Sequence, residues 1–163
     1  MTVENLLSAL EGIYRASLPR FLRVATAITG DSERGSDAVH DAFVSCLRAA
    51  PAFRGEGPLE GWVWRSVVNS ALRVRRDQRP AVDGDARDDH SGNGQESGDF
   101  GEVRAALAAL SERQRVVLFL RYYADLDYRA IADALGISIG TVGAALNKAH
   151  AALRASMAKE AAE

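Results

Sequence analysis

The amino-acid sequence predicts an all-α protein with two small helical domains joined by a flexible acidic linker, the second domain containing a helix-turn-helix. Apolar residues recur at helical spacing in both halves, and no useful length of chain alternates with the period of a β-strand. The middle is rich in Asp, Gly and Ser. The 163 residues, 47% of them hydrophobic, suffice for two small cores. We place the domains at residues 1–76 and 102–163 and the linker at residues 77–101.

The first domain begins with two predicted helices. Pro19 suits the first turn of a helix, so we expect one helix before it and another that starts near it. Apolar residues at helical spacing mark the buried face of each helix. They are Leu6, Leu10 and Ile13 in the first and Phe21, Val24, Ala25 and Ile28 in the second.

A third helix is expected after the polar stretch "TGDSERGS", with Ser36 or Asp37 as its N-cap. Its apolar face carries Val39, Ala42, Phe43 and Cys46. Cys46 is the only cysteine, which excludes an internal disulfide and suits a reducing cytoplasm. In this apolar setting Cys46 is predicted to be a small buried hydrophobe.

The stretch "PAFRGEGP" is predicted to be a loop because of its Pro and Gly content, and a helix with a basic end follows it. Trp62 and Trp64 lie about 200° apart on that helix, so one is expected in the core and the other partly exposed. An exposed aromatic ring beside arginines suits stacking on an unpaired base. A core tryptophan pair on a basic surface helix explains the same residues equally well.

The acidity of the chain is concentrated in its middle. Residues 1–76 carry 10 basic and 8 acidic side chains, residues 77–103 carry 2 and 8, and residues 104–163 carry 8 and 6. Both flanks are therefore mildly basic although the net charge is -2. A linker of about 25 such residues reaches roughly 80 Å when fully stretched.

The second domain has the clearest local signals. Ser111 and Gln114 form a capping box, Gly136 permits a left-handed turn, and Ser138 caps a last helix that continues to about Met157. Ala132 is small where two helices must approach closely. The shared core comprises Ile131, Leu135, Ile137, Val142 and Leu146. We favour a DNA-binding helix-turn-helix over an ordinary helical hairpin.

The sequence lacks the residues that several classes of protein function require. His40, His90 and His150 are scattered without metal-ligand spacing, and neither nucleophile motifs nor phosphate-binding glycine loops occur. We expect no enzyme activity, no metal and no cofactor. No run of about 18 apolar residues predicts a membrane span, and the start "MTVENLLSALEGIYR" does not have the pattern of a secretory signal. The expected location is the cytoplasm.

The two domains together resemble the extracytoplasmic-function (ECF) group of bacterial RNA polymerase sigma factors. The resemblance depends on "GDSERGSDAVHDAFVSCLRA", "FRGEGPLEGWVWRSVVNSALRVRR" and "LSERQRVVLFLRYYADLDYRAIADALGISIGTVGAAL" in this order. It implies a transcription initiation factor with a sigma-two-like domain at 1–76 and a sigma-four-like domain at 102–163. The implied partners are promoter DNA, the clamp and flap regions of core RNA polymerase, and an anti-sigma factor of the kind common in this group.

The resemblance also implies roles for individual residues. Docking on core polymerase would involve Asp37, His40, Asp41, Phe43 and Val44. Opening and holding the minus-ten element would involve Phe53, Arg54, Gly55, Glu56, Trp62, Trp64, Arg65, Asn69, Arg73, Arg75 and Arg76. Reading the minus-thirty-five element would involve Arg129, Ser138, Gly140, Thr141, Gly143, Ala144, Asn147 and Lys148.

The predicted recognition helix departs from the family pattern. After "GTV" the family usually has basic and polar residues, whereas this chain has Gly143, Ala144 and Ala145. Such a helix still offers backbone amides at its N-terminus and close approach to the groove. We expect weak upstream binding that depends on polymerase holding both domains. Two alternatives stay open: a helix-turn-helix regulator or degenerate sigma-like protein that acts through another partner, and a module that binds only proteins.

Overall fold

The protein is described by a computed structural model that covers residues 2–78 and 105–162. The described residues form helices and contain no strand, which confirms the all-α prediction. The helices of the first lobe are α1 (Val3–Thr29), α2 (Ser32–Ala49) and α3 (Leu59–Asp77), with a 3₁₀ turn at Ala50–Ala52. A helical turn at residues 105–108 opens the second lobe. Its helices are α4 (Glu112–Tyr122), α5 (Tyr128–Leu135) and α6 (Ile139–Ala161).

The helix α1 runs through Pro19 without a break, so the prediction of two helices was wrong. Proline removes one backbone donor and leaves the carbonyl of Arg15 without its usual partner. Both residues are exposed, so water can hydrate that carbonyl. The apolar residues before and after Pro19 also share one buried face, and burial of that face stabilises the continuous helix.

The helix α2 begins at Ser32, four residues before the predicted N-cap at Ser36. Asp31 is the actual N-cap, and its side chain accepts a hydrogen bond from the backbone N–H of Glu33 at 2.9 Å. The preceding helix ends at Gly30, whose φ of 80° lies in the left-handed region. The break between α1 and α2 is therefore only two residues long, and most of "TGDSERGS" is helical.

Gly35 allows α1 and α2 to approach each other closely. A Cβ atom at this position would lie 2.7 Å from both the backbone nitrogen and Oγ1 of Thr26. Backbone atoms cannot swing aside as a flexible side chain can, so any larger residue must push the helices apart.

We expect Gly35→Ala to lower the free energy of unfolding by about 1–2 kcal/mol, since overpacking costs about 1–3 kcal/mol and better helix propensity returns up to about 1 kcal/mol. Urea unfolding followed by circular dichroism measures the change. Gly12→Ala is the matched control, because Gly12 lies inside α1 with no atom within 4 Å of a Cβ. The control should be stabilised by up to about 1 kcal/mol. Equal stabilisation of both variants would contradict the close packing at Gly35.

Aromatic rings form the centre of the first lobe. The ring centroid of Phe21 lies 4.4 Å from that of Trp64 and 5.5 Å from that of Phe43. Tyr14 meets Phe43 edge-on at 4.7 Å. This cluster joins the three helices and fixes which face of α3 points outward.

The local predictions for the second lobe are confirmed. Ser111 and Gln114 make both bonds of the capping box, and Gly136 adopts a left-handed φ of 66°. The axes of α5 and α6 bend by 105° at the turn, within the range of helix-turn-helix motifs. Arg115, although buried, donates to the carbonyl of Leu110 at 2.9 Å and, at 3.5 Å, to the carbonyls of Leu107 and Ala108, and so ties the opening turn to α4. The last helix extends four residues beyond Met157, where we predicted its end.

The two lobes pack against each other, which the sequence did not predict. Buried side chains form one cluster through both lobes, and the largest contact between lobes joins α3 to α5. Of the predicted linker, residues 77–101, only Asp77 and Gln78 are described, and the rest lies outside the described residues. No single helix within residues 2–78 or 105–162 is long and apolar enough to cross a membrane.

Candidate nucleic-acid and polymerase interfaces

One face of α3 carries an aromatic and basic stripe. Its side chains follow each other at intervals of three and four residues, which aligns them along a helix. We call this set the α3 stripe: Trp62, Arg65, Asn69, Arg73 and Arg76. Trp62 is half-buried and the other four residues are exposed. Arg75 is half-buried beside this face.

The loop before α3 adds to the same surface. The ring of Phe53 lies 5.0 Å from that of Trp62, which connects the loop to the start of the stripe. Arg54, Gly55 and Glu56 are exposed between these two rings in sequence. The loop and the α3 stripe thus meet where Phe53 packs on Trp62, and all but one of the predicted minus-ten residues are exposed or half-buried.

Trp64 is the exception, because its side chain is only 1% exposed. It packs on Phe21 in the core of the first lobe. The assignment of Trp64 to a DNA surface is therefore wrong in this structure, and its role is to hold α3 in place. The expectation that one tryptophan is core and the other partly exposed is confirmed.

A second stripe lies on α2. Asp37, His40 and Asp41 are exposed and Val44 is half-buried, again at intervals of three and four residues. Phe43 does not belong to this surface. It is 8% exposed and packs between Tyr14 and Phe21, so it is not available to the polymerase surface to which the resemblance assigned it.

Leu47 extends the α2 stripe, and sequence reasoning missed it. It lies three residues after Val44 and is 49% exposed, a large fraction for an aliphatic side chain. The signal was present in the spacing, since Leu47 falls off the apolar face formed by Val39, Ala42 and Cys46. We define the α2 stripe as Asp37, His40, Asp41, Val44 and Leu47.

The start of α6 is held by its predicted cap. The backbone N–H of Thr141 donates to Ser138 Oγ at 3.1 Å, and the two hydroxyls lie 2.8 Å apart. Gly140 is exposed beside this cap. Within the segment from Ile139 to Ala151, Asn147 and Lys148 are the exposed polar side chains. This end of α6 therefore presents backbone, small side chains and the exposed aliphatic side chain of Ile139, with few polar groups.

Two tyrosines near α6 were also missed. Tyr128, at the start of α5, is 41% exposed and lies 3.7 Å from the position of a Cβ on Gly143. Its ring packs beside Gly143, one of the small residues that leave the predicted recognition helix without long side chains. Tyr122 Oη lies 2.7 Å from His150 Nε2 and thereby connects α4 to α6. Arg129 is exposed next to Tyr128.

Nothing in the described ranges forms a metal-binding group, since no three His, Cys, Asp or Glu side chains converge there. Burial raises the pKa of the Cys46 thiol, and a hydrogen bond with Ser66 opposes this rise. The thiol is thus neutral and shielded at physiological pH.

Comparisons with known proteins agree with this geometry. The family model "Sigma-70 region 2" matches residues 13–81, and "Sigma-70, region 4" matches residues 100–153. The "ECF RNA polymerase sigma factor EcfG" of Rhodopseudomonas palustris is 29% identical over 153 residues, covering 91% of this chain and 84% of the relative. The "ECF RNA polymerase sigma factor SigM" of Mycobacterium tuberculosis is also 29% identical, with 89% and 75% covered.

The chain belongs to the ECF group of RNA polymerase sigma factors. Solved structures share the fold of this sigma factor. CnrH in complex with the cytosolic domain of CnrY matches with a TM-score of 0.70 and 22% identity, covering 94% of this chain and 90% of that one. The sigma factor RpoE in complex with the anti-sigma factor NepR from Bartonella quintana matches at 0.63 and 20%, with 90% and 95% covered.

Each candidate surface of this sigma factor lies within one of the two family matches. The α2 and α3 stripes both lie within the region-two match, and the helix-turn-helix lies within the region-four match. Each surface is built on rigid helices whose opposite faces are buried in a core. The exposed faces are therefore fixed in direction relative to their own lobe.

Proposed function

We propose that the α3 stripe captures the minus-ten element of a promoter as a single strand. The observation that carries this proposal is the half-buried Trp62 ring, backed by Phe53 and followed along the helix by Arg65 and Asn69. An aromatic platform beside basic side chains suits an unpaired base and its phosphates. Asn69 adds an amide that can bond a base edge or the backbone.

Magnitudes support melting at this surface. Extrusion of a base costs a few kcal/mol. Stacking on an aromatic side chain returns about 1–3 kcal/mol per base, and arginine contacts to phosphates add to it. One aromatic platform therefore offsets the opening of about one base, which suits nucleation of a melted region that polymerase then extends.

The α2 stripe is the proposed docking surface for the polymerase clamp. Its carboxylates, Asp37 and Asp41, suit a basic partner surface, and Leu47 supplies the exposed apolar side chain that Phe43 does not. A central apolar contact with a charged rim is the usual anatomy of a protein interface. The second lobe would meet the flap region and present α6 to the minus-thirty-five element.

An anti-sigma factor is a further proposed partner. The solved RpoE structure contains an anti-sigma factor, and that likeness shows the fold alone for this chain. A cytoplasmic location is part of the same proposal, because a factor that works with bacterial RNA polymerase acts where that enzyme is. Purification from cells grown without stress, followed by mass spectrometry of bound chains, tests for such a partner.

Run-off transcription with core polymerase tests the function. Promoter-specific transcripts support the initiation role. Binding of promoter DNA without transcripts would favour a helix-turn-helix regulator instead, and binding of neither polymerase nor DNA would favour a module that recognises other proteins.

We expect Trp62→Ala to lower transcripts from a duplex promoter about 10- to 100-fold, because the stacking platform is lost. A template with a mismatched, already open minus-ten region should restore most of the yield, since its melting costs nothing further. Met157→Ala serves as a control because Met157 is exposed at the far end of α6. Equal loss on duplex and open templates would show that Trp62 acts in recruitment rather than in melting.

A further inference from the structure

Ile139 is an exposed aliphatic side chain at the start of the predicted recognition helix. It is the first residue of α6, directly after the cap Ser138, and it is 50% exposed. Single exposed apolar side chains are common on proteins and need no explanation by themselves. The position of Ile139 gives it a different meaning, because the N-terminal residues of the second helix of a helix-turn-helix contact base edges in the major groove.

The side chain of Ile139 is held in a defined direction. The half of its surface that is not exposed is in contact with the rest of the chain. Isoleucine is β-branched, so inside a helix it has one strongly preferred χ1 rotamer. A contact made by Ile139 therefore costs less conformational entropy than a contact made by the long, flexible side chain of Lys148.

The next turn on the same face of α6 carries no side chain. Gly143 lies four residues after Ile139 and therefore on the same face. A Cβ atom at Gly143 would meet Tyr128 Cε2 at 3.7 Å, an ordinary contact distance. That contact does not require a glycine, although glycine within a helix costs stability relative to alanine. The missing side chain leaves room for a ligand that approaches the backbone of α6 closely.

Tyr128 adds an aromatic ring to this face. It is 41% exposed at the start of α5, and its ring reaches Gly143 on the neighbouring helix. Because side chains on a helix lean towards its N-terminus, a group above Gly143 lies over the turn that carries Ile139. The aliphatic side chain and the aromatic ring therefore border the same space, and that space is apolar.

The charge of α6 indicates the kind of partner that this face fits. The sequence has no acidic residue between Asp133 and Glu160, whereas Lys148, Arg154 and Lys159 lie in that interval. Such a helix is attracted to the phosphates of DNA. Within the major groove, the apolar group that distinguishes one base pair from the others is the C5-methyl group of thymine. An aliphatic side chain can detect this methyl group, which forms no hydrogen bond.

We infer that Ile139, with the Tyr128 ring beside it, contacts the C5-methyl group of a thymine in the minus-thirty-five element. Apolar contact then gives this helix a sequence preference in addition to the hydrogen bonds of its few polar side chains. The inference rests on the proposed role of α6 at that element. It adds the group on the DNA that is recognised and the side chain that recognises it.

Replacement of thymine by uracil tests the inference, because it removes the methyl group and keeps the hydrogen-bonding edges of the base pair. The unmodified chain with core polymerase first selects an upstream element from a randomised library, and each thymine in that element is then replaced singly. We expect at least one replacement to weaken holoenzyme binding about fourfold, the effect of burying one methyl-sized group. Holoenzyme with Ile139→Ala should bind thymine and uracil equally at that position.

Two control variants accompany Ile139→Ala. Met157→Ala removes another exposed apolar side chain from the same helix and should leave the fourfold preference for thymine unchanged. Ile139→Val keeps a β-branched aliphatic side chain and should retain most of the preference. The inference fails if no uracil replacement changes the affinity, or if Ile139→Ala prefers thymine as strongly as the unmodified chain does. Weaker binding of Ile139→Ala to core polymerase without DNA would also overturn it, since Ile139 would then face the polymerase.

Two further promoter sets complete the experiment. The same methyl group occurs on 5-methylcytosine, so cytosine and 5-methylcytosine are compared at the sensitive position. Tighter binding to 5-methylcytosine would show that the methyl group is recognised on either base, whereas equal binding would restrict recognition to thymine, and both results agree with the inference. Scrambling of the whole upstream element tests the proposed function instead. Unchanged affinity for the scrambled promoter would count against the role of α6, whereas a loss on scrambling without any effect of uracil would count against the methyl contact alone.

Discussion

Trp64→Ala is expected to lower the free energy of unfolding by about 3–5 kcal/mol, the usual cost of removing a large aromatic side chain from a core. Trp64 is 1% exposed and its ring centroid lies 4.4 Å from that of Phe21, so removal of the ring leaves a cavity in the core. A loss of this size is a large part of the stability of a small domain. Chemical denaturation followed by circular dichroism measures it directly.

Two neighbouring changes separate the explanations. Trp64→Phe should cost much less, because it keeps most of the volume and removes a buried Nε1–H that has no acceptor among the described residues. Trp62→Ala should cost less than Trp64→Ala, because Trp62 is only half-buried. If both alanine variants lose the same stability, the division of the pair into a core ring and a surface ring is wrong.

Local features of the fold could be predicted because their causes lie within a few residues. The capping box of Ser111 and Gln114 and the cap of Ser138 on Thr141 involve partners three positions apart. The left-handed turn at Gly136 depends on that residue's own backbone. Such signals survive without knowledge of the tertiary structure.

Features decided by packing were predicted poorly. Proline inside a helix often breaks it, but at Pro19 the burial of one continuous face outweighs the loss of one hydrogen bond. The contact of Arg20 with Ala124 spans 104 positions in sequence, and no periodicity within either lobe encodes it. The packing of the lobes is invisible for the same reason.

The site predictions show the same division. Periodicity correctly placed Phe43 on the apolar face of α2, whereas the resemblance assigned it to the polymerase surface, and the aromatic packing in the structure favours periodicity. Leu47 was missed because an exposed aliphatic residue has no motif. Leu47 differs from the core residues of α2 because it is exposed, on the face that also carries Asp37 and Asp41.

The predicted recognition helix has few exposed polar side chains, so each of them should contribute strongly to upstream DNA binding. Its exposed surface near the N-terminus includes Ile139, Gly140 and Ala144, none of which offers a side-chain hydrogen bond. Tyr128 over Gly143 adds a ring that can contact sugar or phosphate. Base-specific hydrogen bonds must then come mainly from the next exposed turn, which carries Asn147 and Lys148.

We therefore expect the double change Asn147→Ala and Lys148→Ala to weaken binding of polymerase holoenzyme to a promoter with an intact upstream element about 100-fold. A bidentate amide contact is worth about 1–3 kcal/mol, and one phosphate contact adds to it. The single changes should differ in kind. Asn147→Ala should relax sequence preference at one upstream position, whereas Lys148→Ala should weaken binding to all sequences and reduce the salt slope by about 1.

Fluorescence anisotropy over a salt series, with promoters whose upstream element is intact or scrambled, separates these effects. Both side chains are exposed, so thermal unfolding should stay unchanged and serves as the control for folding. Lys159→Ala is a matched charge control, because Lys159 is exposed in the last turn of α6, three turns beyond Lys148. If the double variant distinguishes intact from scrambled promoters as well as the unmodified chain does, upstream specificity resides in the shape of the bare helix and not in its polar side chains.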